Sequence, residues 1–122
     1  MQLYVLDELY AVVRLDPDAP LPPWATRGHF RSVTRSDTEM SIVCREEDVP
    51  ADASAERGWV CFQVAGPLDF SLTGVIASLV EPLAEIPLFV ISTFETDYLL
   101  VREHDLHAAV EALTYAGHSV DS

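Results

Sequence analysis

The order of apolar and polar positions predicts a chain built mainly from short strands. Runs rich in β-branched and aromatic residues are bounded by turn-forming residues in six places, which is the pattern of extended strands. Polar residues 35–38 and 95–97 join two pairs of these runs, so each pair is expected to form a hairpin. The runs cover residues 9–15, 29–34, 39–44, 59–64, 88–94 and 98–102, and a last short strand is expected at 119–120.

Two other segments have helical spacing, and a short helix is also expected at 24–26, after a cluster of prolines. The first segment repeats apolar residues at steps of three and four: Leu72, Val75, Ile76, Leu79, Val80 and Leu83. Pro82 lacks a backbone N–H, so it is expected to end or kink this helix near Glu81. The second helix is marked by Leu106, Val110 and Leu113, and Gly117 is expected to end it in a left-handed conformation.

The two hairpin regions resemble each other and indicate an internal repeat. Residues 32–49 read SVTRSDTEMSIVCREEDV and residues 89–106 read FVISTFETDYLLVREHDL, with similar acidic tails after the second strand. Each copy is predicted to contain a strand, a helix and two more strands, with a fully helical tail only in the second copy. Helices packed on one face of an antiparallel sheet then give a ferredoxin-like βαββαβ arrangement of the α+β class. We expect an abbreviated unit at 1–57 and a complete unit at 58–122.

Composition and charge exclude several functions. The 122 residues carry a net charge of −13 and no lysine, so a Walker-type phosphate loop and lysine Schiff-base chemistry are excluded. The acidic excess argues against nucleic acid and anionic membrane as partners. Asp7 and Glu8 lie where an export signal would be apolar, so the chain is expected to be soluble and cytoplasmic. In that compartment Cys44 and Cys61 are expected to be buried thiols rather than a disulfide.

Three motifs resemble the ACT domain family, in particular its branch of tandem ACT proteins. They are GPLDFSLTG at 66–74, EPLAE at 81–85 and ISTFETDYLLVREHDL at 91–106. The resemblance is dense from Gly58 to Leu113 and more scattered from Tyr10 to Cys44. It implies two tandem ACT units and a non-catalytic regulatory protein that binds a small molecule, most often an amino acid, where ACT units meet. It also implies a homodimer, because the chain has only one complete unit, and it leaves room for a regulated enzyme partner.

The resemblance also implies which residues contact the ligand. Those from the loop before the first helix are Asp69, Leu72, Thr73, Gly74 and Val75, and those from the second hairpin are Thr93, Phe94 and Asp97. A second copy of the chain would add the start of its strand, Pro87 and Leu88. Pro87 stands where the family commonly has a small polar residue with a free N–H, so that donor is missing here.

Physical reasoning points to the same loop. The start of a helix presents unpaired amides and the positive end of the backbone dipole, which suit the carboxylate of a free amino acid. Gly66 and Gly74 allow the backbone to approach a ligand closely. The ammonium of the same ligand needs an acceptor, and Asp69 and Asp97 are the candidates.

Simpler interpretations remain open for most of these residues. Asp69, with Ser71 and Thr73 after it, can be a helix cap, and Asp97 can be an ordinary turn residue. Thr93 and Phe94 can belong to the strand and core. His104 and His107 have metal-like spacing, but a solvated helix start is the favoured interpretation. No metal, cofactor or catalytic residue is assigned.

Two alternative functions are therefore kept beside the first. One is an interaction module that retains the fold without a ligand pocket. The other is a detached regulatory subunit of an amino-acid biosynthetic enzyme such as aspartate kinase.

Overall fold

The computed structural model describes residues 1–121 and shows a mixed α+β chain. The strands are β1 (Gln2–Leu15), β2 (Ser32–Arg35), β3 (Met40–Arg45), β4 (Ala55–Val64), β5 (Leu88–Ser92), β6 (Asp97–Arg102) and β7 (Ser119–Asp121). The helices are α1 (Val75–Val80) and α2 (Leu106–Tyr115), with single 3₁₀ turns at Pro23–Thr26, Glu46–Asp48, Glu81–Leu83 and Glu103–Asp105. Among these residues, none of the helices has the length and apolar character needed to cross a bilayer.

The chain divides into two compact units, and the first of them comprises Glu8–Trp59. In this first unit β3 pairs antiparallel with β1, and β2 pairs antiparallel with the other side of β3. Alternate side chains of β1 and β3 face one side of the sheet, while Tyr10 and Val43 are buried on the other side, so both faces are partly covered. The side chains on the first side form a core with the first 3₁₀ turn that contains Ala11, Val13, Ala25, Met40, Ile42, Cys44 and Val49.

The second unit comprises Met1–Asp7 and the chain from Val60 onward. Its strand order is β5, β6, β4 and the start of β1, and β7 pairs parallel with that start. β5 and β6 form an antiparallel hairpin in which Leu88 lies opposite Val101 and Ser92 lies opposite Asp97. Its buried apolar residues include Leu3, Phe62, Val64, Leu79, Leu83, Leu99, Val101, Ala109 and Leu113.

The internal repeat predicted from the sequence is visible in the order of elements. In both units a hairpin is followed at once by a 3₁₀ turn, at Glu46–Asp48 after β3 and at Glu103–Asp105 after β6. Only the second of these turns continues into an α-helix, α2, as the sequence predicted. The first unit has a 3₁₀ turn where the second has α1. The predicted α+β, ferredoxin-like class with an abbreviated first copy is confirmed.

Several predicted boundaries were wrong. β2 begins at Ser32 rather than residue 29, and β4 begins at Ala55 rather than residue 59. β1 begins at Gln2 rather than residue 9, because residues 2–4 pair with β7 and bury Leu3 completely. α1 begins at Val75 rather than Leu72, because Gly74 precedes it with a left-handed backbone (φ 74°) that cannot continue a helix toward the N-terminus. The predicted helix end near Glu81 is confirmed, since the chain tightens there into a 3₁₀ turn that contains Pro82.

The end of α2 follows the sequence prediction closely. Gly117 is left-handed, with φ 99°, and its N–H donates to the carbonyl of Thr114. The next amide, of His118, reaches back to the carbonyl of Leu113, which completes a Schellman-type cap. This cap directs the chain away from the helix and into β7.

Both cysteines are buried, free thiols, as predicted. Burial raises the pKa of Cys44 to about 11 and the pKa of Cys61 to about 12, because the thiolate would lose its hydration. Thiols with such raised pKa values are poor nucleophiles at neutral pH. They therefore act as small apolar core residues.

Candidate functional site

The second unit contains a cavity of about 350 Å³ beside the start of α1. One wall is the loop and helix start, and the other wall is the turn between β5 and β6. The loop wall is formed by Leu68, Asp69, Phe70, Leu72, Gly74, Val75, Ile76 and Ala77, and the hairpin wall by Ser92, Thr93, Phe94, Glu95, Thr96 and Asp97. The volume lies at the lower end of the range for small-molecule sites.

The cavity brings together most of the residues predicted for the site. The lining includes Asp69, Leu72, Gly74, Val75, Thr93, Phe94 and Asp97. Thr73 belongs to the same loop but does not line the cavity. Pro87 and Leu88 lie at the start of β5, at the end of the hairpin opposite to the turn. Their predicted contribution to the site of a second copy stays a prediction.

Asp97 is a strand residue and not a turn residue, because the turn ends at Thr96 and Asp97 pairs with Ser92 as the first residue of β6. It is only 8% exposed, although its side chain is a carboxyl group. The Ser92 hydroxyl donates to its Oδ1 atom at 2.6 Å. Within residues 1–121 the structure gives Asp97 no other side-chain partner and no cation. Its second carboxylate oxygen therefore remains to be satisfied by water or by a ligand.

Asp69 has a different role, since its carboxylate shapes the loop. Its Oδ1 atom accepts hydrogen bonds from both the backbone N–H and the hydroxyl of Ser71, each at 2.8 Å. These bonds lower the pKa of Asp69, since they stabilise the charged form. The alternative interpretation as a cap of α1 is wrong, because the N-cap residue is Gly74 and no side chain caps the helix.

The hairpin turn is fixed by two threonine hydroxyls: Thr93, which the sequence predicted as a ligand contact, and Thr96, which it did not assign. Thr96 is buried, and its hydroxyl donates to the carbonyl of Val64 in β4 at 2.6 Å. The hydroxyl of Thr93 donates to the carbonyl of Thr96, and the amide of Leu68 donates to the carbonyl of Glu95. These bonds tie the turn to β4 and to the loop wall, so the cavity is held open by its own framework.

Close packing of the backbone holds the same two walls together. A Cβ atom at Gly66 would lie 3.0 Å from the carbonyl oxygen of Glu95 and 3.2 Å from the Cβ of Thr96. Only glycine allows this approach without a shift of one wall. The sequence predicted that Gly66 allows a close approach of the backbone. The structure shows such an approach, but to the hairpin.

The helix start contributes hydrogen-bond donors to the cavity. The amides of Val75, Ile76 and Ala77 have no backbone acceptor within the described chain, and no side chain caps them. All three residues line the cavity. α1 has only six residues before the 3₁₀ turn, so these donors matter more here than a helix dipole. The cavity thus combines free N–H donors on one wall with a buried carboxylate on the other.

Comparison with known proteins identifies the family. The model of the ACT domain matches residues 54–115, which is about half of the chain and includes the whole cavity. The chain belongs to the ACT domain family. A second model, described as an N-terminal domain, matches residues 8–52.

Individual relatives of this ACT domain protein include one similar solved structure of nearly the same length. The crystal structure of protein Atu0741 from Agobacterium tumefaciens has a TM-score of 0.92 and 42% identity, and the match covers 98% of this chain and 90% of that one. The regulatory subunit of aspartate kinase from Thermus thermophilus has a TM-score of 0.59 at 14% identity, with 94% and 96% coverage. At that identity the likeness shows the fold alone.

A curated relative is the Bos taurus protein named "Cytosolic arginine sensor for mTORC1 subunit 1". It is 29% identical to this ACT domain protein over an alignment of 104 residues, and the match covers 75% of this chain and 32% of the relative. The chain therefore spans about a third of the length of that protein.

The rim of the ACT cavity is apolar and exposed. The rings of Phe70 and Phe94 meet edge to face, with centroids 4.7 Å apart and planes at 82°. Phe94 is 78% exposed, so the alternative interpretation of this residue as part of the core is wrong. Leu72 beside them is also exposed. An exposed apolar cluster at the mouth of a cavity is typical of a surface that a ligand or another chain covers.

The two histidines with metal-like spacing each face a single carboxylate. His104 lies 3.5 Å from Asp105, and His107 lies 3.4 Å from Glu111. Both histidines are exposed. Within the described part of the chain, no cluster of three His, Cys, Asp or Glu side chains has the geometry of a metal site.

Proposed function

We propose that this protein is a non-catalytic regulatory module that binds a free amino acid in the cavity beside α1. The observation that carries the proposal is Asp97, a nearly buried carboxylate that lines the cavity. Ser92 holds one of its oxygens, and the described part of the chain gives it no cationic partner. A buried charge of this kind is costly unless it is paired. The ammonium of an amino acid would supply the missing cation.

The opposite wall supports the same class of ligand. The carboxylate of an amino acid would accept hydrogen bonds from the amides of Val75, Ile76 and Ala77, which have no backbone acceptor within residues 1–121. An amino acid carries its two charges close together, and the cavity offers donors and a carboxylate on facing walls. The similarity to a protein named as an arginine sensor also supports an amino acid. The ammonium is assigned to Asp97 rather than Asp69, because Asp97 is 8% exposed whereas Asp69 is exposed, and water weakens a charge pair at an exposed site.

The outer edge of β5 supports the proposed homodimer. β5 ends the strand order, so one side of it has no neighbouring strand within the described chain. The amide of Thr93 donates to Thr96 at 2.8 Å, which makes these residues a hydrogen-bonded pair. Hydrogen-bonded pairs alternate along an antiparallel hairpin, so Leu88, Val90 and Ser92 direct their N–H and C=O groups to the outer edge.

Pairing of this edge with its own copy would complete the site. An antiparallel dimer whose twofold axis passes through Val90 lets all three outward-facing residues form hydrogen bonds. In that arrangement Leu88 of one copy lies opposite Ser92 of the other, and Pro87 lies beside Thr93. The start of β5 would then reach the cavity of the second copy, as the sequence predicted for Pro87 and Leu88.

Ligand binding is tested by thermal shift against the twenty amino acids. We expect at least one of them to raise Tm with a saturable dose dependence, because a ligand at a hundred times its Kd stabilises the folded state by about 2.7 kcal/mol. Aspartate and glutamate should give the smallest shifts, because Asp69, Glu95 and Asp97 line the cavity and no cationic side chain among residues 1–121 does. The amide of the best ligand, which lacks the carboxylate, is the control. If none of the twenty amino acids raises Tm, an interaction module without a ligand is the better interpretation.

The dimer is tested by charging its proposed edge. Val90→Asp would place two carboxylates across the twofold axis of a protein that already carries −13, so we expect it to be monomeric in sedimentation experiments. Val33→Asp is the matched control, since Val33 is similarly exposed but lies on β2, the outer strand of the first unit. Dimers that survive Val90→Asp and dissociate with Val33→Asp would place the interface on the other edge.

A regulatory subunit of an amino-acid biosynthetic enzyme is the second candidate function. It is favoured by the fold shared with the aspartate kinase regulatory subunit, which the match covers almost from end to end. Co-purification of the tagged chain with a kinase from its own source would support it. An isolated dimer that binds its amino acid without an associated enzyme would favour the stand-alone module.

A further inference from the structure

A second concave surface lies in the second unit, away from the amino acid cavity. It is an open groove of about 1160 Å³ between the 3₁₀ turn after α1 and one face of α2. Its lining includes Glu81, Pro82, Ala108, Glu111, Ala112 and Tyr115. None of these residues lines the cavity beside Asp97. The groove is larger and more open than a typical small-molecule site, which indicates a macromolecular occupant.

The α2 face of this groove is distinct from the face that packs on the core. Ala109 and Leu113 are fully buried. Six residues of α2 line the groove. Four of them, Ala108, Glu111, Ala112 and Tyr115, follow the spacing i, i+3, i+4 and i+7 and share one side of the helix, and Val110 and Thr114 extend the lining beside them. Tyr115 is 95% exposed. The two alanines leave room for a second backbone to approach, and the tyrosine offers a large ring at one end of the groove.

Hydrogen bonds fix the two walls of the groove. The His118 ring, directly after the cap of α2, contacts the carbonyl of Ser78 in α1 through Nε2 at 3.0 Å. The Schellman-type cap at Gly117 holds His118 in this position. The groove is thus preformed, so an occupant would not have to open it.

Charge indicates which kind of occupant fits. The ionisable groove residues that flank the alanines are Glu81 and Glu111, and both are exposed. Residues 58–122 carry nine Asp and Glu side chains and a single arginine, Arg102. A second copy of this chain would bring the same two glutamates against each other, which electrostatic repulsion opposes. A basic segment would instead be attracted by the field of the whole unit.

We propose that this groove binds a basic amphipathic helix of a partner protein. The apolar side of that helix would pack on Pro82, Ala112 and Tyr115, while its lysine or arginine residues pair with Glu81 and Glu111. Helices commonly bind in grooves of this kind through apolar anchors at spacings of three and four. The β5 edge and the cavity are not part of the groove, so this surface is independent of the amino acid site.

The test uses a fluorescein-labelled model helix of leucine and arginine and its matched leucine and glutamate counterpart. With the full chain we expect saturable anisotropy for the arginine helix only, and weaker affinity at higher salt. In ¹⁵N–¹H spectra the largest shift changes should fall on Ala108, Ala112 and Tyr115. Glu81→Gln with Glu111→Gln, and separately Tyr115→Ala, should each weaken binding about tenfold.

A control variant and a blocking variant make the outcome decisive. Glu85→Gln with Glu103→Gln removes the same charge from exposed positions of the same unit that do not line the groove, and should change affinity less than about twofold. Ala112→Arg, whose fold is checked by its spectrum, should abolish binding by filling the groove. The proposal is overturned if the arginine helix does not bind, if both double variants weaken it equally, or if the shift changes fall outside the groove.

Discussion

Asp97→Asn is expected to weaken amino acid binding by about a hundredfold and to remove the ligand-induced rise in Tm at moderate ligand concentration. Asparagine keeps the size of the side chain and can still accept a hydrogen bond from the Ser92 hydroxyl. It loses the negative charge that the ligand ammonium would pair with. Truncating one partner of a buried charge pair commonly costs about 2–5 kcal/mol of binding free energy.

The same substitution, Asp97→Asn, should not lower the stability of the protein without ligand. Without ligand, the Asp97 charge is nearly buried and has no cation within the described residues, so its neutralisation should leave the free energy of unfolding unchanged or raise it. Reduced binding together with undiminished stability is the signature of a ligand site. A purely structural carboxylate would instead cost stability when it is removed.

Asp121→Asn is the matched control for Asp97, because Asp121 is exposed in β7 and lies outside the cavity. We expect it to bind the same amino acid as the unchanged protein does. Isothermal titration measures affinity and urea unfolding measures stability in all three proteins. A full thermal shift retained in Asp97→Asn would show that the ammonium is not bound at this carboxylate.

The sequence predicted correctly those elements that are determined by residues close together in the chain. The hairpins follow from apolar runs around polar turns, and the Schellman-type cap follows from glycine at 117, because glycine alone enters the left-handed region without cost. The end of α1 near Glu81 follows from Pro82 in the same way. The repeat of two similar hairpins and acidic tails was enough to predict the α+β class.

Features that depend on distant parts of the chain were missed. Residues 2–4 become a strand because they pair with β7, more than a hundred residues later in the chain. The hydroxyl of Thr96 donates to Val64 in β4, 32 residues earlier in the chain, so this hydrogen bond has no trace in local spacing. The start of α1 was missed for a local reason instead, because a helical spacing of apolar residues does not reveal the left-handed backbone of Gly74.

The candidate site was also predicted only in part. The family motif located Asp97 and the loop, but it did not show that Ser92 holds one oxygen of Asp97 or that Ser71 occupies Asp69. Both hydroxyls were present in the quoted motifs. A serine close in sequence to an aspartate of the motif is therefore a usable signal, because a carboxylate is stabilised by hydrogen-bond donors near it.

Phe62→Ala is expected to lower the free energy of unfolding by about 3–5 kcal/mol, a large part of the stability of a chain this size. Phe62 lies in β4, the strand between β1 and β6 in the second unit, and is fully buried. Its neighbours Val60 and Cys61 are also buried, so β4 is covered on both faces. Removal of the ring would leave a cavity that these covered faces cannot easily close.

Phe94→Ala is the matched control, because the same atoms are removed from a ring that is 78% exposed. We expect Phe94→Ala to lower the free energy of unfolding by less than about 0.5 kcal/mol, since the change exposes little apolar surface to water and forms no interior cavity. Urea unfolding monitored by circular dichroism measures both variants. Equal decreases in the free energy of unfolding of the two variants would contradict the placement of Phe62 in the core and Phe94 on the rim of the cavity. A small loss of stability in Phe94→Ala together with weaker amino acid binding would show that the aromatic rim acts on the ligand and not on the fold.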